Sequence, residues 1–268
     1  MEEEKQENIG EEVEIFVNEQ PKKDFILPAS IIVAAIMIGG AVVFATLYRG
    51  GSAPAAPAGG TVAAGTTPAP SQASTTAILA LSPRDAILGN KNAPVTIVEY
   101  GDYQCPYCSE YFESVQPGIV KNYLDTGKAK MVFRNLAFLG PESVAAAQAA
   151  ECAEDQNQLW PYHDALYTAK LADFNKGGAE DDGVLSRTLF LKIAAQLHLD
   201  MPTFTSCIDT NKYASLVAQE KADGYTVIGA YSTPATFVNG VIVADSNGNS
   251  VGANPAAVFA AITSAIGK

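Results

Sequence analysis

The chain has little of what metal centres and disulfide scaffolds are built from, with four cysteines and two histidines in 268 residues. Four cysteines are too few for a disulfide-dense mini-protein, and two histidines leave little for a histidine-rich metal site. Basic residues are also scarce. Seventeen Lys and Arg stand against 29 Asp and Glu, a formal net charge of −12, so there is no basic footprint for nucleic acid. With 48% hydrophobic and 17% charged residues, the composition excludes a wholly disordered or collagen-like chain and suffices for one fair-sized domain or two small ones. The acidity is uneven. Residues 1–24 hold 9 acids and 3 lysines, which is half of the net charge in a tenth of the chain.

Charge is absent altogether from Phe25 to Tyr48 (FILPASIIVAAIMIGGAVVFATLY). A helix of that length spans roughly 36 Å, enough to cross a hydrocarbon core of about 30 Å. A buried core helix would rarely be apolar on every side and followed by a Pro/Ala/Gly tract. A cleaved signal peptide has small residues in its favour at Gly51–Ala56. Against it stand the 24 preceding residues and a run longer than the usual h-region. The expectation is an uncleaved signal anchor over 25–48. Lys22 and Lys23 abut one end and only Arg49 the other, which places an acidic tail, 1–24, in the cytoplasm and the rest outside. Residues 49–76 are rich in Pro, Ala and Gly and read as a flexible tether. The folded part is then 77–268.

Within it, Val95–Tyr100 (VTIVEY) is a β-branched run of strand length, followed by a loop and a helix over Cys105–Leu124 that Pro117 should kink. Lys130–Phe138 reads as a second strand, parallel to the first in a βαβ unit. Helices are expected over Glu142–Gln158, Pro161–Lys170 (with Pro161 at the first helical position), Leu185–Leu197 and Asn211–Ile228. A Gly/Asp-rich loop lies between Lys170 and Leu185. Ala235–Asn239 and Val241–Ala244 flank Asn239-Gly240, the strongest hairpin signal in the chain. A helix over Asn254–Ile266 closes the chain. The order is α/β or α+β with a helical insertion.

The chemistry is concentrated at Cys105-Pro106-Tyr107-Cys108. Two cysteines one turn apart at the start of a helix can close a small redox disulfide. The free N–H groups of the helix end favour a thiolate at Cys105, while Cys108 sits one turn in and resolves the mixed disulfide. Zinc also uses such spacing, but Cys152 and Cys207 are single and neither histidine lies in a ligand pair. Glu99 shares a face with Val95 and Ile97 by alternation. It is either a strand-end residue reaching solvent or a buried acid beneath the two cysteines. Thr233-Pro234 precedes a strand, where a proline lacking a ladder donor belongs.

These residues carry a resemblance. GDYQCPYC after VTIVEY, with STPATFVNG far downstream, resembles the DsbA-like thiol:disulfide oxidoreductases of the thioredoxin superfamily. Further matching stretches are Asp85–Val95, Ala149–Asp164 and Phe204–Tyr213, so the resemblance covers residues 83–268. It implies a thioredoxin-like α/β fold with a helical domain inserted at about 139–232. It makes Cys105 and Cys108 the redox pair, Pro234 a cis-proline that binds substrate backbone together with Thr233, and Glu99 the buried acid. Trp160 and His163 match a pattern in the helical block and read as packing. CPYC also occurs in glutaredoxins, but these are compact, with little between the second strand and the cis-proline. Cys152 and Cys207 are either two buried free thiols or a structural disulfide, and the resemblance supports the bridge in some members.

The resulting expectation is a membrane-tethered, extracytoplasmic thiol:disulfide oxidoreductase that oxidises protein thiols, with isomerase and reductase directions also open. It would need no organic cofactor or metal. Its substrates would be secreted or membrane proteins with cysteines, and a membrane partner, inferred from the resemblance, would re-oxidise it. The rival reading is a non-catalytic tethered module that binds clients or a metal such as copper through the two thiols.

Overall fold

The computed structural model describes residues 72–267. The expected tail (1–24), anchor (25–48) and most of the linker lie outside the described residues. Among the described residues no helix is long and apolar enough to cross a membrane. The fold starts earlier than the linker boundary at 76 suggested. Helix α1, Gln72–Leu79, takes up the last residues of that segment. QASTTAIL contains neither Pro nor Gly, Leu79 is buried, and the Arg134 guanidinium donates to the Ile78 carbonyl in the last turn and the Ala80 carbonyl just past the helix.

Five strands form one mixed sheet in the order β1-β3-β2-β4-β5. They are β1 Leu88–Gly89, β2 Val95–Gly101, β3 Ala129–Asn135, β4 Ala235–Val238 and β5 Val241–Ile242. β2 is central, parallel to β3 (Val95↔Ala129 through Gly101↔Asn135) and antiparallel to β4 (Glu99↔Thr236). β4 and β5 make the expected hairpin. Asn239 and Gly240 take φ of 48° and 81°, as a two-residue turn matched to the strand twist requires.

After β2 come α2, Pro106–Ser114, then α3, Gln116–Ile119, and a π-helical turn, Val120–Leu124. The single kinked helix expected here is therefore broken. Pro117 cannot donate to the helix ladder, and the chain resumes with an Asp125 N–H bond to Val120 O, five residues back. The insertion between β3 and β4 holds α4 Pro141–Glu154, α5 Leu159–Phe174, α6 Arg187–Gln196, α7 Met201–Asp209 and α8 Ala214–Ile228. Pro161 stands at the third rather than the first position of α5, where its missing N–H is equally harmless. Helix α7, absent from the sequence reading, is capped by Asp200, whose carboxylate accepts from Thr203 N at 2.9 Å. α9, Pro255–Ile266, ends the fold with Asn254 as its cap.

Val95, Ile97, Met131 and Phe133 pack on one face of the sheet with Tyr111, Val115, Ile119, Val258 and Ile262. Val98, Tyr100 and Val132 pack on the other with Leu79 and, from α8, Val227 and Ile228. Both faces of β2 are covered, so its residues read as a nearly continuous apolar run, with the half-buried Thr96 and the buried Glu99 the exceptions. Lys170, fully buried near the end of α5, donates to Asp173 (2.9 Å) and Asp182 (3.0 Å) and fixes the loop that follows.

Cys152 of α4 and Cys207 of α7 form a disulfide, with Cα atoms 5.9 Å apart and a sequence separation of 55. Closing a loop of that length restricts the unfolded chain by about 4 kcal/mol in the chain-entropy model. Replacing both cysteines by Ala is expected to lower the unfolding free energy by roughly that amount, read from urea denaturation without reductant in a Cys105→Ser, Cys108→Ser background.

Candidate active site

Cys105 is the N-cap of α2 with extended backbone (φ −74°, ψ 122°), and Pro106 fills the first helical position. The Cys108 and Ser109 N–H groups donate to the Cys105 carbonyl at 3.1 and 3.0 Å, closing the first turn. Both cysteines carry free thiols. Cys105 retains 5% exposure and Cys108 none, so of the two only Cys105 reaches the surface at all. The Cys105 thiol donates to the Thr233 carbonyl at 3.5 Å, and the Thr233–Pro234 peptide is cis. The structure thus brings Cys105, Cys108, Thr233 and Pro234 together at one end of β2 and β4.

Glu99 lies beneath them on β2, 1% exposed, and its Oε2 has no hydrogen-bond partner. Of the two sequence readings, the solvent-reaching one does not hold. β4 flanks Glu99 on one side and β3 on the other, and the cross-strand Thr236 hydroxyl and nearby Tyr111 hydroxyl are likewise buried without a partner. Burial, with the charge of Cys105 adding to it, raises the Glu99 carboxyl to about 8. The two thiols are driven apart. The hydrogen bond from Cys108, assisted by the N–H groups of Cys108 and Tyr107 at the helix end, lowers Cys105 to about 7 against the opposing effect of burial. Burial pushes Cys108 well up, reinforced by Cys105 and Glu99.

Cys152 and Cys207 lie elsewhere, in the helical insertion. His163 is packing: it is fully buried with its ring edge-on to Phe133 (4.6 Å) and Trp160 (5.1 Å). Its nitrogens meet the Tyr103 hydroxyl and Gln116 Oε1 at 3.3 and 3.4 Å, and burial lowers it to about 3.

The match to proteins of known kind follows the same residues. A family model described as thioredoxin covers residues 81–251. The chain belongs to the thioredoxin family. Within it the chain is DsbA-like. It is 30% identical over 159 residues to disulfide bond formation protein D of Bacillus subtilis, covering 59% of this chain and 68% of that protein. The crystal structure of oxidised BdbD from Bacillus subtilis superposes with a TM-score of 0.58 at 25% identity, covering 69% of this chain and 94% of that one. A 33% identity over 159 residues relates the chain to Na(+)/H(+) antiporter NhaA 1 of Salinispora arenicola. There it covers 59% of this chain but spans only 22% of the antiporter's length.

Three features of this thioredoxin-family site were not read from the sequence. Asp102 accepts from the N–H groups of Gln104, Phe138 and Leu139 (2.9, 2.8 and 3.1 Å) and from the Ser143 hydroxyl. Gln104, fully buried, donates to Leu139 O at 3.0 Å and accepts from Asp181 N. Asp before a turn was a visible signal; the tertiary partners of both residues were not. Third, the chain after the Asp245–Ser250 turn brings Gly252 against the proline. A Cβ at Gly252 would lie 2.5 Å from the Pro234 carbonyl oxygen. Tyr107, Glu110, Thr233, Pro234 and Ser250 are among the residues lining an open cleft of about 510 Å³ beside it.

Two measurements probe these electrostatics. Absorbance at 240 nm of the reduced protein is expected to show a thiolate forming near pH 7, not at the ordinary thiol value of 9.0, and alkylation at pH 7 should reach Cys105 before Cys108. For Glu99, the folded state keeps its proton to about pH 8 while the unfolded chain loses it at 4.5, so stability falls as pH rises across that window. Glu99→Gln is expected to gain on the wild type by up to about 1.4 kcal/mol per pH unit there. Urea denaturation at pH 4.5 and 8 of both proteins checks it.

Proposed function

We propose that this chain is an extracytoplasmic protein thiol:disulfide oxidase held at the membrane by residues 25–48. The observation that carries the reading is the asymmetry of the pair: a Cys105 that keeps slight exposure and is lowered to about 7 beside Thr233, and a wholly buried Cys108 raised well above its ordinary value. A lowered Cys105 stabilises the reduced pair relative to the disulfide and so favours oxidation of others. The uncharged 25–48 run and the lysines at its one end support the tether and its orientation. The Cys152–Cys207 bridge suits an oxidising compartment.

In the oxidised enzyme a substrate thiolate attacks Cys105 Sγ, forming a mixed disulfide and expelling Cys108 as a thiolate. Burial disfavours that anion, and the protonated Glu99 carboxyl beneath supplies its proton. A second substrate thiolate then attacks the substrate sulfur of the mixed disulfide. This completes the substrate disulfide and releases the Cys105 thiolate, stabilised at the end of α2. Two electrons have passed to the enzyme, and a membrane oxidoreductase takes them to restore the disulfide. Substrates are secreted or membrane proteins with cysteine pairs, docked by main-chain bonds at Thr233 and Pro234.

Oxidative refolding of a reduced, disulfide-containing protein tests this. Cys105→Ser is expected to abolish the activity. Cys108→Ala should accumulate a mixed disulfide on Cys105 when offered a substrate carrying an activated disulfide, seen as a reductant-sensitive adduct in a gel. Wild-type protein that leaves the reduced substrate unoxidised while reducing insulin readily would assign the opposite direction. Failure in both assays would favour the non-catalytic module.

A further inference from the structure

Among the described residues the exposed large aromatics are three tyrosines: Tyr107 at 63%, Tyr225 at 46% and Tyr231 at 51%. Other exposed large apolar residues, such as Leu81, Val241 and Ile266, carry no ring. Tyr107 lies between the two cysteines. The other two stand on the chain that leads into the Thr233–Pro234 turn, Tyr225 in α8 and Tyr231 three residues after that helix ends. Tyr231 stacks on the half-buried Phe138 (ring centroids 5.6 Å apart, planes at 24°) and meets Tyr225 at 4.6 Å. The Lys221 ammonium is 5.5 Å from the Tyr231 ring.

This stack is tied to both halves of the site. The Phe138 N–H is bonded to Asp102, three residues before Cys105, at 2.8 Å. Tyr231 is two residues before Thr233, whose carbonyl meets Cys105 Sγ at 3.5 Å. Two residues span at most about 7 Å of chain, so the Tyr231 backbone lies within that distance of the Thr233 backbone, a span that a side chain one or two positions from a cysteine engaged on Cys105 can also cover. The rings are already packed on one another while about half of Tyr231 stays open, so a ligand would not have to order them. Resting on the proposed oxidase function, we propose that Tyr231 and Tyr225, supported by Phe138, form a platform that receives an aromatic side chain next to the reacting cysteine of an extended polypeptide substrate. An aromatic guest gains offset or edge-on ring contact beyond its buried area, which an aliphatic guest of similar size does not.

The test uses the whole protein and two reduced cysteine-pair peptides, identical except for Phe or Leu adjacent to the first cysteine. Wild-type protein is expected to oxidise the Phe peptide about fivefold faster per unit concentration than the Leu peptide. Tyr231→Ala should bring the ratio to about one, and Tyr231→Phe should keep it. A wild-type ratio near one, or a ratio that survives Tyr231→Ala, overturns the platform. If the wild type oxidises neither peptide, the oxidase reading fails instead. The platform is then decided by fluorescence-monitored binding of the same peptides with Ser for Cys. Phe preferred by wild type and by Tyr231→Phe but not by Tyr231→Ala supports it, and equal binding overturns it.

Discussion

Asp102 takes hydrogen bonds from four donors in three segments: Gln104 in the loop before Cys105, Phe138 and Leu139 beyond β3, and Ser143 in α4. That single buried carboxyl fixes where the chain turns from β2 into α2 and where it leaves the sheet for the helical insertion. The rest of the site depends on it. Cys105 can cap α2 only because the loop ahead of it is held, and Leu139, bonded to Asp102, offers its own carbonyl to Gln104. Gln104 in turn accepts from Asp181, in the loop that Lys170 anchors through Asp182. A chain of polar bonds thus runs from Lys170 through the exposed Asp182 and Asp181 to the residue before Cys105, and its two buried ends, Lys170 and Gln104, would be costly to leave unpaired.

Glu99, three residues earlier, is treated in the opposite way. It is equally out of water, but its Oε2 has no donor, and its neighbours Thr236 and Tyr111 leave their hydroxyls unpaired as well. A carboxyl given donors holds structure, whereas one deprived of them holds its proton into the neutral range. The sheet makes this difference. Asp102 lies past the end of β2, where loop N–H groups are free. Glu99 lies inside it, where the backbone N–H groups of β2, β3 and β4 are committed to each other.

What could be read in the sequence follows from locality. The β2–α2–β3 unit, the Asn239-Gly240 hairpin and the CPYC motif are each written in residues that touch one another, and the structure has them at those positions. β3 stops at Asn135 although the apolar run continues to Phe138, because Asp102 and not a neighbouring strand takes the Phe138 and Leu139 N–H groups. Strand β1 has two residues, too few for any period, and exists only as a partner of β3. Helix α7 had a capping Asp200, but its run is short and its apolar face is defined by Cys207 and Phe204 packing inside the insertion. The openness of Tyr231 is likewise a property of its surroundings: sequence places eleven tyrosines in the chain and does not say which stay out of the core.

The buried titrating groups also bear on where the fold is at its strongest. Glu151 accepts from the Asn135 amide and from Arg84, yet burial, with Glu220 close by on the same amide, still raises it to about 8. It adds to Glu99 in sign: both hold protons in the folded state that the unfolded chain releases above 4.5, so both weaken the fold as pH rises from there to about 8. His163 works from the other side. It is held neutral in the fold down to about pH 3, while the unfolded chain protonates it near 6.5, so its contribution is lost as pH falls through that range. These buried groups oppose one another between pH 4.5 and 6.5. Above 6.5 the two acids go on weakening the fold to about pH 8, while Cys105 in the reduced protein, at about 7 against 9.0 in the unfolded chain, works the other way. Burial of the acids therefore moves the stability they control to the mildly acidic side of neutrality. Above pH 7, where the Cys105 thiolate needed for exchange is most populated, the same carboxyls work against the fold.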